Sequence, residues 1–199
     1  METENDKNLP IKGKGFYPTI FTAIDLELNQ PSNKIIQIGA AVGDITTGKI
    51  ISTFSQYINP NEPINPVITE LTKITDEIAR AGTDLLSAYM NLVRLHLESG
   101  AFINPITWGG GDSEFIKKQL TQLNQNFEWC FGRRWIDVKT IVSAVKLANK
   151  RNVQGGLARS MASMGIAFAG TKHNAKDDAV NTFLFFKFLL DKMPTGIFR

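Results

Sequence analysis

Two carboxylates interrupt an apolar run in PTIFTAIDLELN: Asp25 and Glu27. A charge inside a buried strand is costly unless it is paired or bound to metal. Residues at i and i+2 of a strand point to the same face. Two carboxylates on one rigid face can hold a hard divalent cation such as Mg²⁺. The same pattern on an edge strand would simply meet water, and the pair alone leaves both readings open.

Asp112 follows Trp108 and three glycines, Gly109 to Gly111. Strand ends in α/β sheets are common ligand sites, and glycines allow close approach. Asp is also a favoured helix N-cap, and Phe115 and Ile116 begin an apolar face. Both roles can hold at once. A third group is His173-Asn174-Ala175-Lys176-Asp177-Asp178. Asn174 fits an N-cap, which leaves His173 in the loop and Asp178 in the first helical turns. Residues five apart lie ~140° apart around a helix, so only a His outside it could share a site with Asp178. Asp177 competes for the ligand role, because acids favour first turns through the helix dipole. An exposed acidic helix start with an incidental His is the alternative.

Other chemistries are excluded. No G-x-S-x-G elbow is present, and no Gly-Lys-Ser/Thr follows the glycines as a phosphate loop would need. His96 falls within an amphipathic helix, as a surface or core residue rather than a ligand. Cys130, between Trp129 and Phe131, fits a small hydrophobe.

These residues need elements to position them. Residues 1–16 lack apolar periodicity and read as a flexible tail. From Pro18 a buried strand runs through Asp25 and Glu27. A turn at Pro31-Ser32-Asn33 leads to two further strands, KIIQIGAAVGD and GKIISTFSQYI, joined as a hairpin. Residues 59–66, with three prolines, form a loop. Helical spacing covers residues 83–98, with Thr83 as N-cap. A strand is expected over 101–108 and a helix over 112–123. A second strand and helix follow over 133–138 and 140–150. A short helix over 157–164 and a long apolar one over 175–193 complete an α/β domain with a mixed sheet.

The whole has 199 residues, 43% of them hydrophobic and 21% charged, which suits one globular domain with a full core. A single Cys excludes a disulfide framework and a cysteine zinc cage. With no signal-peptide pattern, that points to a reducing, cytoplasmic setting. The longest apolar stretch is too short for a membrane span. Charge is uneven. Residues 1–99 hold 8 Lys/Arg against 12 Asp/Glu, and residues 100–199 hold 14 against 7. The basic half suits a polyanionic partner, or simply solvated helix faces.

The order of the pieces resembles the DEDDh exonucleases of the DnaQ-like, ribonuclease-H-type superfamily, from about Pro18 to Met193. AIDLELN followed by NKIIQIGAAV resembles the first motif and second strand, and LTKITDEIARAG the helical segment after the third strand. ITWGGGD resembles the second motif in the form typical of ERI-type RNA exonucleases. GGLARSMASMGIAFAGTKHNAKDDAVNT resembles the last helix pair with its His-x4-Asp. The triple glycine is looser than usual, and no Thr-Gly follows Glu27.

The resemblance implies a ribonuclease-H-like mixed five-stranded sheet flanked by helices, with residues 17–199 as the exonuclease domain. It implies 3′-to-5′ hydrolysis of single-stranded nucleic acid with a free 3′ end, RNA favoured, releasing nucleoside 5′-monophosphates. Asp25, Glu27, Asp112 and Asp178 would hold two Mg²⁺ or Mn²⁺ ions, and His173 would act as general base. Leu28 and Trp108 would contact the terminal nucleotide, although a core role for Trp108 is equally open. The alternatives are a DNA-trimming or proofreading exonuclease and a catalytically silent nucleic-acid-binding module.

Overall fold

Side chains of β1 (Ile20–Leu28) alternate between two apolar clusters. Ile24, Leu26 and Leu28 pack into one, while Phe21 and Ala23 pack into the other on the opposite face. Asp25 and Glu27 continue the second face beyond the apolar residues. The computed structural model describes residues 18–123 and 126–193; the tail expected over residues 1–16 lies outside them.

The expected meander is present. β2 (Ile35–Asp44) runs antiparallel to β1, and β3 (Ile50–Tyr57) antiparallel to β2. The connecting turn is fixed by Asp44, whose Oδ1 accepts from the Thr46 N–H at 2.8 Å. On the other side of β1, β4 (Ile106–Thr107) and β5 (Ile136–Asp137) add in parallel, giving the order β3-β2-β1-β4-β5. This is the expected mixed five-stranded sheet, with β1 at its centre. Its best-protected strand is β2, buried at nine of ten positions, as a strand covered on both faces must be.

Helices cover both faces. After α1 (Pro66–Thr72) and α2 (Asp76–Arg80), α3 (Leu85–Glu98) and α4 (Asp112–Gln122) pack on the Leu26 face. There Tyr89, Leu92, Ile116 and Leu120 are fully buried. α5 (Val138–Ala148), α6 (Leu157–Ala162) and α7 (Ala175–Lys192) pack on the Ala23 face through Val142, Met161, Phe183 and Phe185. Among the described residues, no helix is long and apolar enough to cross a membrane.

Several boundaries differ from those expected, each for a local reason. The strand expected over 101–108 is confined to β4, because Pro105 has no N–H to give a ladder. β5 is also short, because Asp137 ends it by capping α5, accepting from the Thr140 N–H at 3.2 Å. That helix therefore starts at Val138 rather than Thr140. The N-cap of α3 is Asp84, which accepts from the Ser87 N–H at 2.9 Å, and not Thr83. Thr83 is engaged in a bridge to Ile58, and its N–H donates to the Tyr57 carbonyl. Asp112 does not cap α4 either. Gly111, at φ 122°, holds the cap position, and Asp112 is the first helical residue.

Candidate active site

The first strand brings Asp25 and Glu27 to the end of the Ala23 face, where the apolar cluster stops. What faces them is the start of α7. In the β1–β2 ladder Asp25 pairs with Gly39 and Glu27 with Gln37. Gln37 is buried, and its Oε1 accepts from the Ala175 N–H at 3.1 Å, docking the first turn of α7 onto β2. The expected cap is present as well, since Asn174 Oδ1 accepts from the Asp177 N–H.

Within that first turn the two acids separate. Asp177 turns to the preceding loop, accepting from the Thr171 N–H at 2.8 Å and pairing with Lys176 at 3.2 Å. Asp178 turns to the strand carboxylates and accepts from the His173 N–H at 2.9 Å. His173 is exposed and adopts a left-handed backbone, with φ 59°. Carboxylate or imidazole atoms of Glu27, Asp178 and His173 all lie within 4.8 Å of one another.

Asp112 enters from the parallel half of the sheet. The Thr107 hydroxyl donates to the Gly109 carbonyl, at 2.7 Å, or to Asp112 Oδ2. The Gly109 N–H donates to Asp137 Oδ1 at 3.0 Å, tying the glycine loop to the end of β5.

Electrostatics mark the cluster. Burial pushes the Asp25 carboxyl well above the usual carboxylate range, and Asp112, Asp178 and Glu27 push it further. Glu27 is raised to about 8, by burial and then by Asp178 and Asp112. Asp112 and Asp178 are each raised to about 6, chiefly by burial. Among the described residues, none of the four forms an ion pair with Lys, Arg or His. Several hard oxygen donors, mutually repulsive and without an ion-pair partner among the described residues, fit divalent cations of the Mg²⁺ or Mn²⁺ kind.

The cluster opens into a cleft of ≈ 520 Å³. Asp25, Glu27, Asp178, His173 and Trp108 line it, and so do three cations, Lys139, Arg159 and Lys172. Carboxylates for metal and cations at the rim suit a phosphodiester. Trp108 stacks on Phe185, with ring centroids 5.8 Å apart, and packs against the core while lining the cleft, so it belongs to both. Leu28 packs with Leu26 in the opposite cluster and is not among the residues lining the cleft, which Leu26, between Asp25 and Glu27, does border. His96 is buried, paired with Thr22 at 2.9 Å and remote in role from the cleft.

Sequence reasoning missed Thr107, Asp137 and the three rim cations. One rule would have found Asp137 and Lys139. Ligand sites in such sheets lie beyond the carboxyl ends of the strands, and both residues sit at or just after the end of β5.

The exonuclease family model (RNase_T) matches residues 22–186. ERI1 exoribonuclease 2 of Homo sapiens is 25% identical over 176 residues, covering 77% of this chain and 25% of that protein. The chain thus spans about a quarter of the length of that curated relative. Two solved structures share the fold. The nuclease domain of 3′hExo, a DEDDh family member bound to rAMP, aligns with a TM-score of 0.75 at 19% identity. The alignment covers 88% of this chain and 93% of that one. Exonuclease X in complex with 5′ overhanging duplex DNA aligns with a TM-score of 0.59 at 14% identity, covering 86% and 91%.

Proposed function

The chain belongs to the RNase_T exonuclease family, and from that premise we propose that it is a 3′-to-5′ exonuclease dependent on two divalent cations. One observation carries this reading: Asp112, from the β4–α4 junction, and Asp178, from α7, both lie near enough to the β1 carboxylates Asp25 and Glu27 to raise them, and His173 sits with Glu27 and Asp178. A silent binding module has no use for four carboxylates held against their mutual repulsion.

The four carboxylates would hold the cations. When bound, these supply Lewis acidity, making water a better nucleophile and neutralising charge on the leaving oxygen. The protein's own groups do the rest. Lys139, Lys172 and Arg159 screen the phosphodiester at the rim, where carboxylates alone would repel it. His173 accepts the proton of the attacking water; its exposed position lets the imidazole reach solvent and exchange that proton. The P–O3′ bond breaks, the 3′ oxygen remains on the shortened strand, and a nucleoside 5′-monophosphate leaves. Trp108, stiffened by its stack on Phe185, offers a face to the terminal nucleotide.

RNA is the favoured substrate. The exoribonuclease name of the human relative and the rAMP bound to 3′hExo support this. The DNA complex of Exonuclease X supports the DNA-trimming alternative. End-labelled single-stranded RNA and DNA of matched sequence, with Mg²⁺, Mn²⁺ or EDTA, test both. We expect mononucleotide release from RNA with either ion and none with EDTA. Release that persists in EDTA would reject the metal mechanism, and faster DNA cleavage would reject the RNA preference.

A further inference from the structure

A second cavity, of ≈ 710 Å³, lies between the last turn of α5, the 149–156 connection and α6. Its lining contains three cations, Lys146, Arg151 and Arg159, and no Asp or Glu. Lys146 carries the argument. It is 7% exposed, yet its Nζ has one side-chain partner, the Ser160 hydroxyl at 3.1 Å. Among the described residues no carboxylate lies within ion-pair distance of Lys146, Arg151 or Arg159. An ammonium carries three N–H donors, and an anion in the cavity would accept those that Ser160 does not take. Amide and hydroxyl groups of Asn149, Asn152 and Ser163 complete a lining suited to phosphate oxygens.

The cavity adjoins the active-site cleft. Arg159 lines both, and its aliphatic stem lies against Gly155, where a β-carbon would come within 2.6 Å of its Cδ. We propose that this cavity is a second phosphate site, holding a backbone phosphate of the strand upstream of the nucleotide being removed. The proposal rests on the exonuclease reading for its choice of ligand. It also gives the excess of positive charge in the second half of the chain a specific place to act.

The test uses Arg151→Glu and Lys146→Met in the full chain. Arg151 is exposed and touches no catalytic group, and its removal should leave the fold intact. Binding of a fluorescent twelve-nucleotide RNA is measured by anisotropy with Ca²⁺ in place of Mg²⁺, alongside hydrolysis of the nitrophenyl ester of thymidine 5′-monophosphate, which has one phosphate. We expect roughly fivefold to tenfold weaker binding by Arg151→Glu, with a salt slope shallower by about 0.7. Turnover of the ester should stay at the wild-type rate. Equal RNA affinity and equal salt slope in wild type and Arg151→Glu would overturn the proposal, whatever Lys146→Met does to folding. If inorganic phosphate stabilises wild type but not Arg151→Glu while RNA affinities match, the cavity takes a free anion and the strand assignment fails. Loss of ester hydrolysis in the wild type would count against the exonuclease reading, and the binding comparison would still decide the cavity.

Discussion

Gly39 lies directly beneath Ala175: a β-carbon on Gly39 would come within 2.0 Å of the Ala175 carbonyl carbon. Since Gly39 also pairs with Asp25 across the ladder, the absence of one side chain lets α7 start against the strand that bears the carboxylates. Asp178 reaches Glu27 because of that contact.

Gly39→Ala should therefore act on catalysis through geometry. The added methyl meets backbone, which cannot turn aside as a side chain can, so the first turn of α7 must shift. A displacement near 1 Å at a reacting centre costs about 10²-fold in rate. Overpacking should also lower stability by ~1–3 kcal/mol. Turnover and thermal unfolding measured together check this; wild-type turnover in Gly39→Ala would mean that the contact does not position Asp178.

The carboxylates set the pH dependence of the metal-free protein. A carboxyl raised in the folded state contributes stability that is full below its unfolded value and lost as pH rises through the folded one. For Asp112 and Asp178 that window runs from about 4 to 6, and for Glu27 it extends to about 8. His96 has the opposite sign: burial lowers it to about 4, so its contribution is full above 6.5 and lost as pH falls. Between pH 6.5 and 8 the contribution of Glu27 remains, with Asp25 raised in the same direction. One proton across that window corresponds to about 2 kcal/mol, or ~4–8 °C in a domain of this size. In EDTA the melting temperature should fall from pH 6.5 to 8, and Glu27→Gln should flatten the fall. Saturating Mg²⁺ or Mn²⁺ should raise the curve most at pH 8. A flat wild-type profile in EDTA would remove the electrostatic account.

Neighbouring acids in the last motif should behave differently. Asp178→Asn keeps an acceptor for the His173 N–H but removes a charge from the cluster. We expect most activity to vanish while metal-free stability at pH 8 rises. Asp177→Ala loses the bond from the Thr171 N–H, worth ~0.5–1.5 kcal/mol, and should retain near-normal turnover. Activity assays and melts on both variants decide the assignment, and an inactive Asp177→Ala beside an active Asp178→Asn would reverse it.

Part of this arrangement was legible in the sequence because Asp25 and Glu27 violated a local rule; Asp112 and Asp178 did not, since acids are ordinary at a helix start, and it was their order along the chain that marked them. Asp25 and Glu27 broke an apolar strand, and His173 with Asp178 flanked an N-cap. The apolar residues around them marked β1 and α7. Strand ends were less legible: β4 and β5 are two residues each, too short for alternation to register, and Pro105 and Asp137 cut them. The rim cations Lys139, Arg159 and Lys172 break no rule, since Lys and Arg occur on any solvated surface. Only the packing of α5 and α6 against the sheet brings them to one cleft. The role of Gly39 was equally hidden, because it depends on a helix more than 130 residues away.

His173 is the most informative single position, because it sits among the ligand atoms as well as where a base would act. Its left-handed backbone restricts the choice of variant. Alanine at φ 59° adds strain, whereas asparagine tolerates that region and cannot accept a proton from water as imidazole does. His173→Asn should therefore keep the bond from its N–H to Asp178 and lose the base. Turnover should fall by ~10²–10⁴. The stabilisation by Mn²⁺ in thermal melts separates the two roles. A base leaves it unchanged on substitution, whereas a ligand takes much of it away. Retained turnover would exclude His173 as the base, and lost Mn²⁺ stabilisation would reassign it to the metal site.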